Sequence, residues 1–402
     1  MCRNRFLIIG VTEESFIQNR ESIVRLIKGR EETNTVFAGG KRHHEIVNEI
    51  LPSGHRWIDI GAPLEPALSS FKKERNIIIF ASCDPLFYGL GETVLREFPE
   101  AEIEIIPYLT SLRLLSSRIA LPYGKMKIVS LTGRSWNNLD RELIEGADLI
   151  GVLTDRKKNP NSIAERMIEY GYTNYLFMVG ENLGGKTEKI SKDLTADQVR
   201  GLKFDSPNCL ILKKIKPRTK YFGIPDSLFK GLDGRPNMIT KMPIRLTDLA
   251  LLDLKNRKVF WDIGFCTGSV SIEAKLNFPH LEIVSFEKRE ECEEIFLTNA
   301  RNFGAPGIET LINDFFSVNL SELKTPDSIF IGGYGGKLKE MLNRLTKYLN
   351  QNCVVVFNSV SATSRNEFKQ SAKECGMKIM EEHTIQLDNY NPVTIIKALW
   401  EC

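Results

Sequence analysis

"FWDIGFCTGSV", residues 260–270, decides how the second half of this 402-residue chain is read. An uninterrupted apolar run leads into Gly264-Phe-Cys-Thr-Gly268, and a helix-like pattern follows. A glycine turn between a strand and a helix is where nucleotide-type cofactors meet backbone. The dinucleotide pattern Gly-x-Gly-x-x-Gly needs two further glycines, and Cys266 and Ser269 stand at those positions. The second of these lets backbone approach a pyrophosphate, so a side chain there disfavours a nicotinamide-dependent oxidoreductase.

A Gly-x-Gly-x-Gly loop of the class I methyltransferase type fits Gly264 and Gly268 and departs only at Cys266. S-adenosylmethionine has no pyrophosphate to cradle, so a small side chain is less damaging there. Taken alone, Gly264, Thr267 and Gly268 also read as a plain structural turn. The surroundings favour a cofactor. Asp262 ends the strand, where a carboxylate can face a methionine ammonium. Glu287 ends the next strand, 23 residues after Gly264, where an acid can accept ribose hydroxyls. Asp314, in "LINDF", follows a third strand and can reach an adenine amino group. In "IFIGGYGGKL", residues 329–338, Gly332 and Gly333 permit close backbone approach to a ligand. Each acid alone reads as a helix cap or a solvated end. Together, at successive strand ends, they mark the edge where such sheets bind ligands.

Upstream lies "NMITKMPIRLTDLALLDL", residues 237–254. Thr240 reads as a cap for a helix whose first turn tolerates Pro243. Lys241 and Arg245 are four apart, which puts them on one helix face. A solvated pair is the ordinary reading; beside a cofactor domain they can hold substrate carboxylates.

Strand-like runs alternate with helical patterns along the whole chain, which implies an α/β fold. "RFLIIG", "TVFAGG", "RWIDIG", "NIIIFAS", "AEIEIIP", "KMKIVSL", "ADLIGVLT", "YLFMVGE" and "CLILKK" read as strands of the first half. "KKIKPRTKYFGIPD", residues 213–226, is the best boundary, giving domains 1–215 and 216–402. After it, strands are expected near 257–263, 281–286, 327–331 and 352–357. Two more strands with a turn at 389–392 predict a mostly parallel, Rossmann-like sheet ending in an antiparallel hairpin.

The net charge of +3 is local. Residues 1–212 carry 28 basic and 28 acidic side chains, and 221–402 carry 21 and 23, so the surplus is Lys213, Lys214, Lys216, Arg218 and Lys220. That is a basic segment, not the broad basic face of a nucleic-acid binder. No two of the eight cysteines are closer than 22 residues, which disfavours a zinc site and a disulfide scaffold. No apolar run approaches membrane-spanning length. A cytoplasmic protein with no metal, membrane or nucleic-acid partner is expected.

"GIPD", "NMITKMPIR", "VFWDIGFCTGSVSIEA", "FEK", "NDF" and "IFIGGYGG" together resemble the decarboxylating precorrin C15-methyltransferases of cobalamin biosynthesis, over about 225–340. That family usually has glycine where Cys266 stands. "VFAGGKRHHE", "IIIFASCDPLFYGLG", "KIVSLTGR" and "MVGENLGGKTEKI" resemble the precorrin C5-methyltransferase branch of the two-lobed tetrapyrrole methylases, over about 6–212. The strongest element there is Asp84-Pro-Leu-Phe-Tyr-Gly89, and the resemblance implies cofactor contacts from Asp84, Leu86 and Gly89. The family's usual glycine before that aspartate is Cys83, its Gly-x-Gly-Pro-Gly loop is replaced by Gly10-Val-Thr-Glu-Glu14, and its Ile-Pro-Gly reads Ile106-Pro107-Tyr108.

The order of the halves matches a known fused enzyme type. The resemblance implies S-adenosylmethionine-dependent methylation of a precorrin or cobalt-precorrin at carbons 5 and 15, decarboxylation of the ring C acetate, one cofactor per domain, and a homo-oligomer. No catalytic constellation stands out. His43 and His44, the one close histidine pair, read as surface or substrate-contact residues.

Overall fold

The computed structural model describes residues 3–30, 34–235 and 237–401. They divide into two compact units. One comprises Met1–Arg134, Asp148–Glu165 and Tyr175–Ile215; the other comprises Lys216–Cys402 with Ser135–Ala147 and Arg166–Asn174.

The first unit holds two five-stranded sheets. One contains β1 (Arg5–Val11), β2 (Val36–Gly39), β3 (Arg56–Asp59), β4 (Asn76–Ser82) and β5 (Glu102–Ile106). Its order is β3-β2-β4-β1-β5, and every pairing is parallel. The unbroken isoleucine runs follow from burial on both faces. Phe6, Ile8, Ile77 and Ile79 pack into one cluster, and Leu7, Ile9, Ile78 and Phe80 into the other. The second sheet contains β6 (Lys127–Ser130), β7 (Leu149–Leu153), β8 (Tyr175–Glu181), β9 (Lys189–Leu194) and β10 (Asn208–Lys214), in the order β6-β7-β10-β8-β9. Only β6 and β7 pair in parallel.

The second unit is built on one seven-stranded sheet. Its strands are β11 (Val259–Ile263), β12 (Glu282–Glu287), β13 (Ile308–Ile312), β14 (Ser328–Ile331), β15 (Cys353–Ser359), β16 (Met377–Ile385) and β17 (Val393–Trp400). The order is β13-β12-β11-β14-β15-β17-β16. The first five are parallel, and the terminal hairpin is antiparallel, with β17 inserted between β15 and β16. The expected mixed α/β architecture is present.

Period-2 alternation divides this sheet between two cores. Trp261, Ile263, Ile329, Ile331, Val355 and Phe357 face one. Phe260, Phe330, Val354 and Val356 face the other, against Ile244 and Leu249 of the helix Met242–Leu251 and Val270 and Ala274 of the helix Ser269–Asn277. Full burial of side chains such as Trp261 and Phe260 stabilises by roughly 2–3 kcal/mol each. The five parallel carboxyl ends therefore sit on a rigid base and open on one edge.

Candidate active site

A cavity of ≈ 750 Å³ lies at that edge, a size suited to a small-molecule site. Gly264, Thr267, Glu287, Asp314, Gly332, Gly333 and Lys241 line it, so the structure brings these predicted residues together. They come from the ends of four strands and from the segment before the helix Met242–Leu251.

The loop after β11 is pinned on both sides. Gly264 and Phe265 N–H groups donate to the Phe286 carbonyl at 2.8 and 3.2 Å. The Ile263 carbonyl accepts from Gly332 and Gly333 at 2.9 and 3.1 Å. Gly264 has φ +83°, and a Cβ there would lie 2.5 Å from the Gly333 nitrogen. Gly332 and Gly333 thus serve the packing of two loops as well as the cavity wall. Cys266 has φ +48°, the left-handed region that favours glycine, which explains why glycine is usual at this position. Its Sγ donates to the Met238 carbonyl at 3.2 Å.

Glu287 organises the second strand end. It accepts from the N–H groups of Cys266 (3.0 Å), Lys288 (2.9 Å) and Arg289 (3.2 Å), and from the Arg289 guanidinium. Burial pushes its carboxyl up, but Arg289 and the backbone donors outweigh that and hold it below the usual range. Asp314 stands exposed at the third strand end, its Oδ1 accepting from Phe316 N–H at 2.9 Å. The Thr267 hydroxyl is buried with no partner among the described residues. An ionised acid, an exposed acid and a glycine loop form a donor and acceptor set that fits a nucleoside-bearing cofactor.

Four expectations need correction. Asp262 does not face the cavity. Strand alternation turns it to the helix side, where its Oδ2 accepts from Ser271 Oγ, which also contacts Ser285 Oγ at 2.8 Å. Burial pushes its carboxyl up to about 7, against the pull of the Ser271 hydrogen bonds. Arg245 is fully buried and not free for substrate. It donates to Glu273, Asp226 and the carbonyls of Thr240 and Ile224, because a buried arginine must be paired. Lys241 is itself the extended N-cap residue, in place of Thr240, so it shares no helical face with Arg245. Gly268, with φ +76°, does not line the cavity; it caps the helix Ser269–Asn277, and a Cβ there would meet Phe296 at 2.3 Å.

The sequence reading also passed over cavity residues. Asn358 at the end of β15 and Tyr390 in the hairpin turn both line the cavity. Lys241 Nζ lies 5.0 Å from the Tyr390 ring centroid. A polar residue ending the apolar run "CVVVF" was the available signal for Asn358; nothing local marked Tyr390.

The first unit has its own cavity of ≈ 230 Å³, lined by Asp84 and Gly89 but not by Leu86, whose side chain is exposed. Asp84 Oδ1 accepts from Leu86 N–H at 3.0 Å. Cys83 has φ +56°, which accounts for the usual glycine. The run after Gly10 is not a loop. Thr12 and Ser15 exchange hydrogen bonds at 2.7 and 3.0 Å and start the helix Glu13–Arg30. His43 lines the cavity, with Nδ1 accepting from Gly40 N–H at 3.2 Å and Nε2 2.9 Å from Ser82 Oγ. Burial lowers its pKa to about 4, so it is neutral. His44 instead stacks on Trp57 at 4.2 Å.

A parallel sheet with a glycine loop and acids at successive carboxyl ends, fused to a second α/β unit with its own cleft, defines an S-adenosylmethionine-dependent methyltransferase of two domains. The family described as "Tetrapyrrole (Corrin/Porphyrin) Methylases" matches residues 31–197, and "Precorrin methyltransferase domain" matches 232–400. A precorrin-6Y C(5,15)-methyltransferase (decarboxylating) from Sinorhizobium sp is 29% identical, over 88% of this chain and 84% of that protein. A cobalt-precorrin-7 C(5)-methyltransferase from Salmonella typhimurium is 28% identical over 38% of this chain and 75% of its own. A "Probable cobalt-precorrin-6B C(15)-methyltransferase (decarboxylating)" from Pyrobaculum calidifontis is 30% identical over 39% of this chain and 78% of its own. The chain belongs to the family of decarboxylating precorrin-6Y C5,15-methyltransferases.

Proposed function

We propose that this chain methylates a precorrin at carbons 15 and 5 and removes the ring C acetate carboxyl as CO₂, in corrin ring biosynthesis. The second unit acts at carbon 15 and the first at carbon 5, each with its own S-adenosylmethionine. The observation that carries the reading is the cavity at the carboxyl ends of β11, β12 and β13, where Gly264, Glu287 and Asp314 converge.

S-adenosylmethionine supplies an electrophilic methyl on a sulfonium. The residues of this chain bind and orient. Glu287, held ionised, would accept from ribose hydroxyls, and Asp314 would accept from an adenine amino group. Phe315 and Phe316 supply apolar wall that excludes water. Lys241, Arg235 and Lys337 line the cavity as cations for a polycarboxylate. Holding an electron-rich ring carbon against the methyl supplies up to roughly 7–11 kcal/mol, so no strong base is required.

The test is mass spectrometry of products from metal-free and cobalt-loaded substrate. Two methyl additions with one CO₂ loss are expected; a product with neither change overturns the reading. Calorimetry addresses cofactor stoichiometry, with two S-adenosylmethionine per chain expected. The smaller first cavity and its altered loop make one per chain the competing outcome. A cytoplasmic homo-oligomer belongs to the same proposal, and light scattering tests the assembly. Among the described residues no helix is long and apolar enough to cross a membrane.

A further inference from the structure

The cavity of the first unit holds a cation that its neighbours leave unpaired. Arg42 sits in the first turn of the helix Lys41–Val47, just past the carboxyl end of β2. It lines the ≈ 230 Å³ cavity beside Ser82, Cys83 and Asp84, which end β4. The strands β2 and β4 are sheet neighbours, so the guanidinium stands at the edge where parallel strands take ligands. A Cβ on Gly185, in the turn after β8, would lie 3.4 Å from Arg42 Nη2, so that glycine leaves the guanidinium its room. The charge is felt at the cavity wall. Burial lowers the His43 pKa to about 4, and Arg42 adds to the fall. With His43 neutral, Arg42 is the one cation among the described residues that line this cavity. Its side chain makes no hydrogen bond or ion pair among the described residues. Two acids are near and both are otherwise engaged. Glu13, whose Oε1 would also lie 3.4 Å from that Cβ, accepts from Lys186 N–H at 3.1 Å, and Asp84 accepts from Leu86 N–H. A half-buried guanidinium with its N–H donors unused matches a carboxylate through two parallel hydrogen bonds.

We propose that Arg42 binds a peripheral carboxylate of the tetrapyrrole in the first cavity and so orients the ring for methylation at carbon 5. This rests on the reading of the first unit as the carbon 5 methyltransferase. The meso carbons of the ring share one conjugated system, and a methyl donor alone tells them apart poorly. The carboxylate side chains mark positions around the rim, so a fixed anchor for one of them decides which carbon meets the methyl. No bond is made or broken at Arg42; it binds and orients. The methionine end of S-adenosylmethionine carries a carboxylate too, the same chemistry from a second source, and the test separates the two.

The test uses the full chain and a ring already methylated and decarboxylated at carbon 15, with methyl addition at carbon 5 read by mass spectrometry. Arg42→Ala is expected to raise KM for this step about 10- to 100-fold, with kcat within about three-fold. Arg42→Lys, which keeps the charge without the planar fork, should recover part of the loss. Esterifying the carboxylates of the ring should raise the wild-type KM and abolish the difference between wild type and Arg42→Ala. S-adenosylhomocysteine affinity by calorimetry should stay within about two-fold. Methylation at carbon 15 by the same variants should not change. An Arg42→Ala chain with wild-type KM at carbon 5 overturns the proposal. So does a penalty that persists on the esterified ring, because no carboxylate is then involved. A loss of S-adenosylhomocysteine affinity that tracks the rise in KM moves Arg42 to the cofactor and also overturns it. A wild-type chain that adds no methyl to this ring overturns the reading of the first unit, and the assignment falls with it; the wild-type assay alone tells that failure from the others.

Discussion

Arg289 grips Glu287 from two sides, with Nη2 2.7 Å from Oε2 and Nε 3.0 Å from Oε1. The same carboxylate also holds the Cys266 N–H, so one side chain ties the cofactor loop to the end of β12. Glu287→Gln is expected to weaken S-adenosylmethionine binding about 10- to 100-fold, the range for hydrogen bonds to a charged group. The wild-type affinity should be flat between about pH 5 and 8, because the carboxyl is held below its ordinary value near 4.3. The stability that Glu287 contributes is complete above that value and is lost only as pH falls through the depressed one. Calorimetry across pH checks both points.

Cys266 occupies a left-handed conformation at about 1–2 kcal/mol cost for a non-glycine residue. Cys266→Gly should preserve or tighten cofactor binding and leave the melting temperature unchanged or higher. Cys266→Val should lower it, because a β-branched residue fits positive φ worst. A large affinity loss in Cys266→Gly would give the thiol a role of its own.

Asp262 is a buried acid whose carboxyl titrates near 7. Its folded-state value lies above the unfolded one, so its favourable contribution is complete below about pH 4 and fades as pH rises towards 7. Asp262→Asn should therefore match wild type near pH 4 and exceed it at pH 8, by on the order of 4 kcal/mol for a pKa raised from about 4 to about 7. Denaturant melts at the two pH values measure the gap. A gap that does not change with pH would overturn the assignment.

Arg245 and Lys241 should separate cleanly. Arg245→Ala leaves Glu273 buried without its guanidinium and is expected to cost about 3–5 kcal/mol of stability. Lys241→Ala, at a cavity-lining residue, should leave the melting temperature in place and raise KM for the tetrapyrrole. Thermal melts and steady-state kinetics on both variants decide this. A Lys241→Ala enzyme with wild-type KM removes that residue from the substrate site.

The strands β11, β12, β14 and β15 were legible because burial on both faces leaves uninterrupted apolar runs. The strand β9, "KISKDL", was missed because an edge strand shows alternating polar residues and little hydrophobic signal. Glu287, Asp314 and the Gly264 loop were legible because parallel strand ends fix where ligands approach. Arg245 and Asp262 were misread for one reason. Sequence spacing gives the face a residue shares with its neighbours, but not whether that face meets solvent or another layer. Both turn towards the packed helices, where their partners, Glu273 and Ser271, come from a different element. Asn358 escaped notice because its hydrogen-bond partner, Asp248, stands 110 residues away.

The missing side chain of Gly264 has a consequence for anyone who would re-engineer this enzyme. A Cβ at 264 would strike the backbone of Gly333, and Gly333 in turn hangs from the carbonyl just before Gly264. The two loops are cut to each other like key and ward. A graft that exchanges the cofactor loop alone will jam against its neighbour, so the segments around 264 and 333 must be transplanted as a pair.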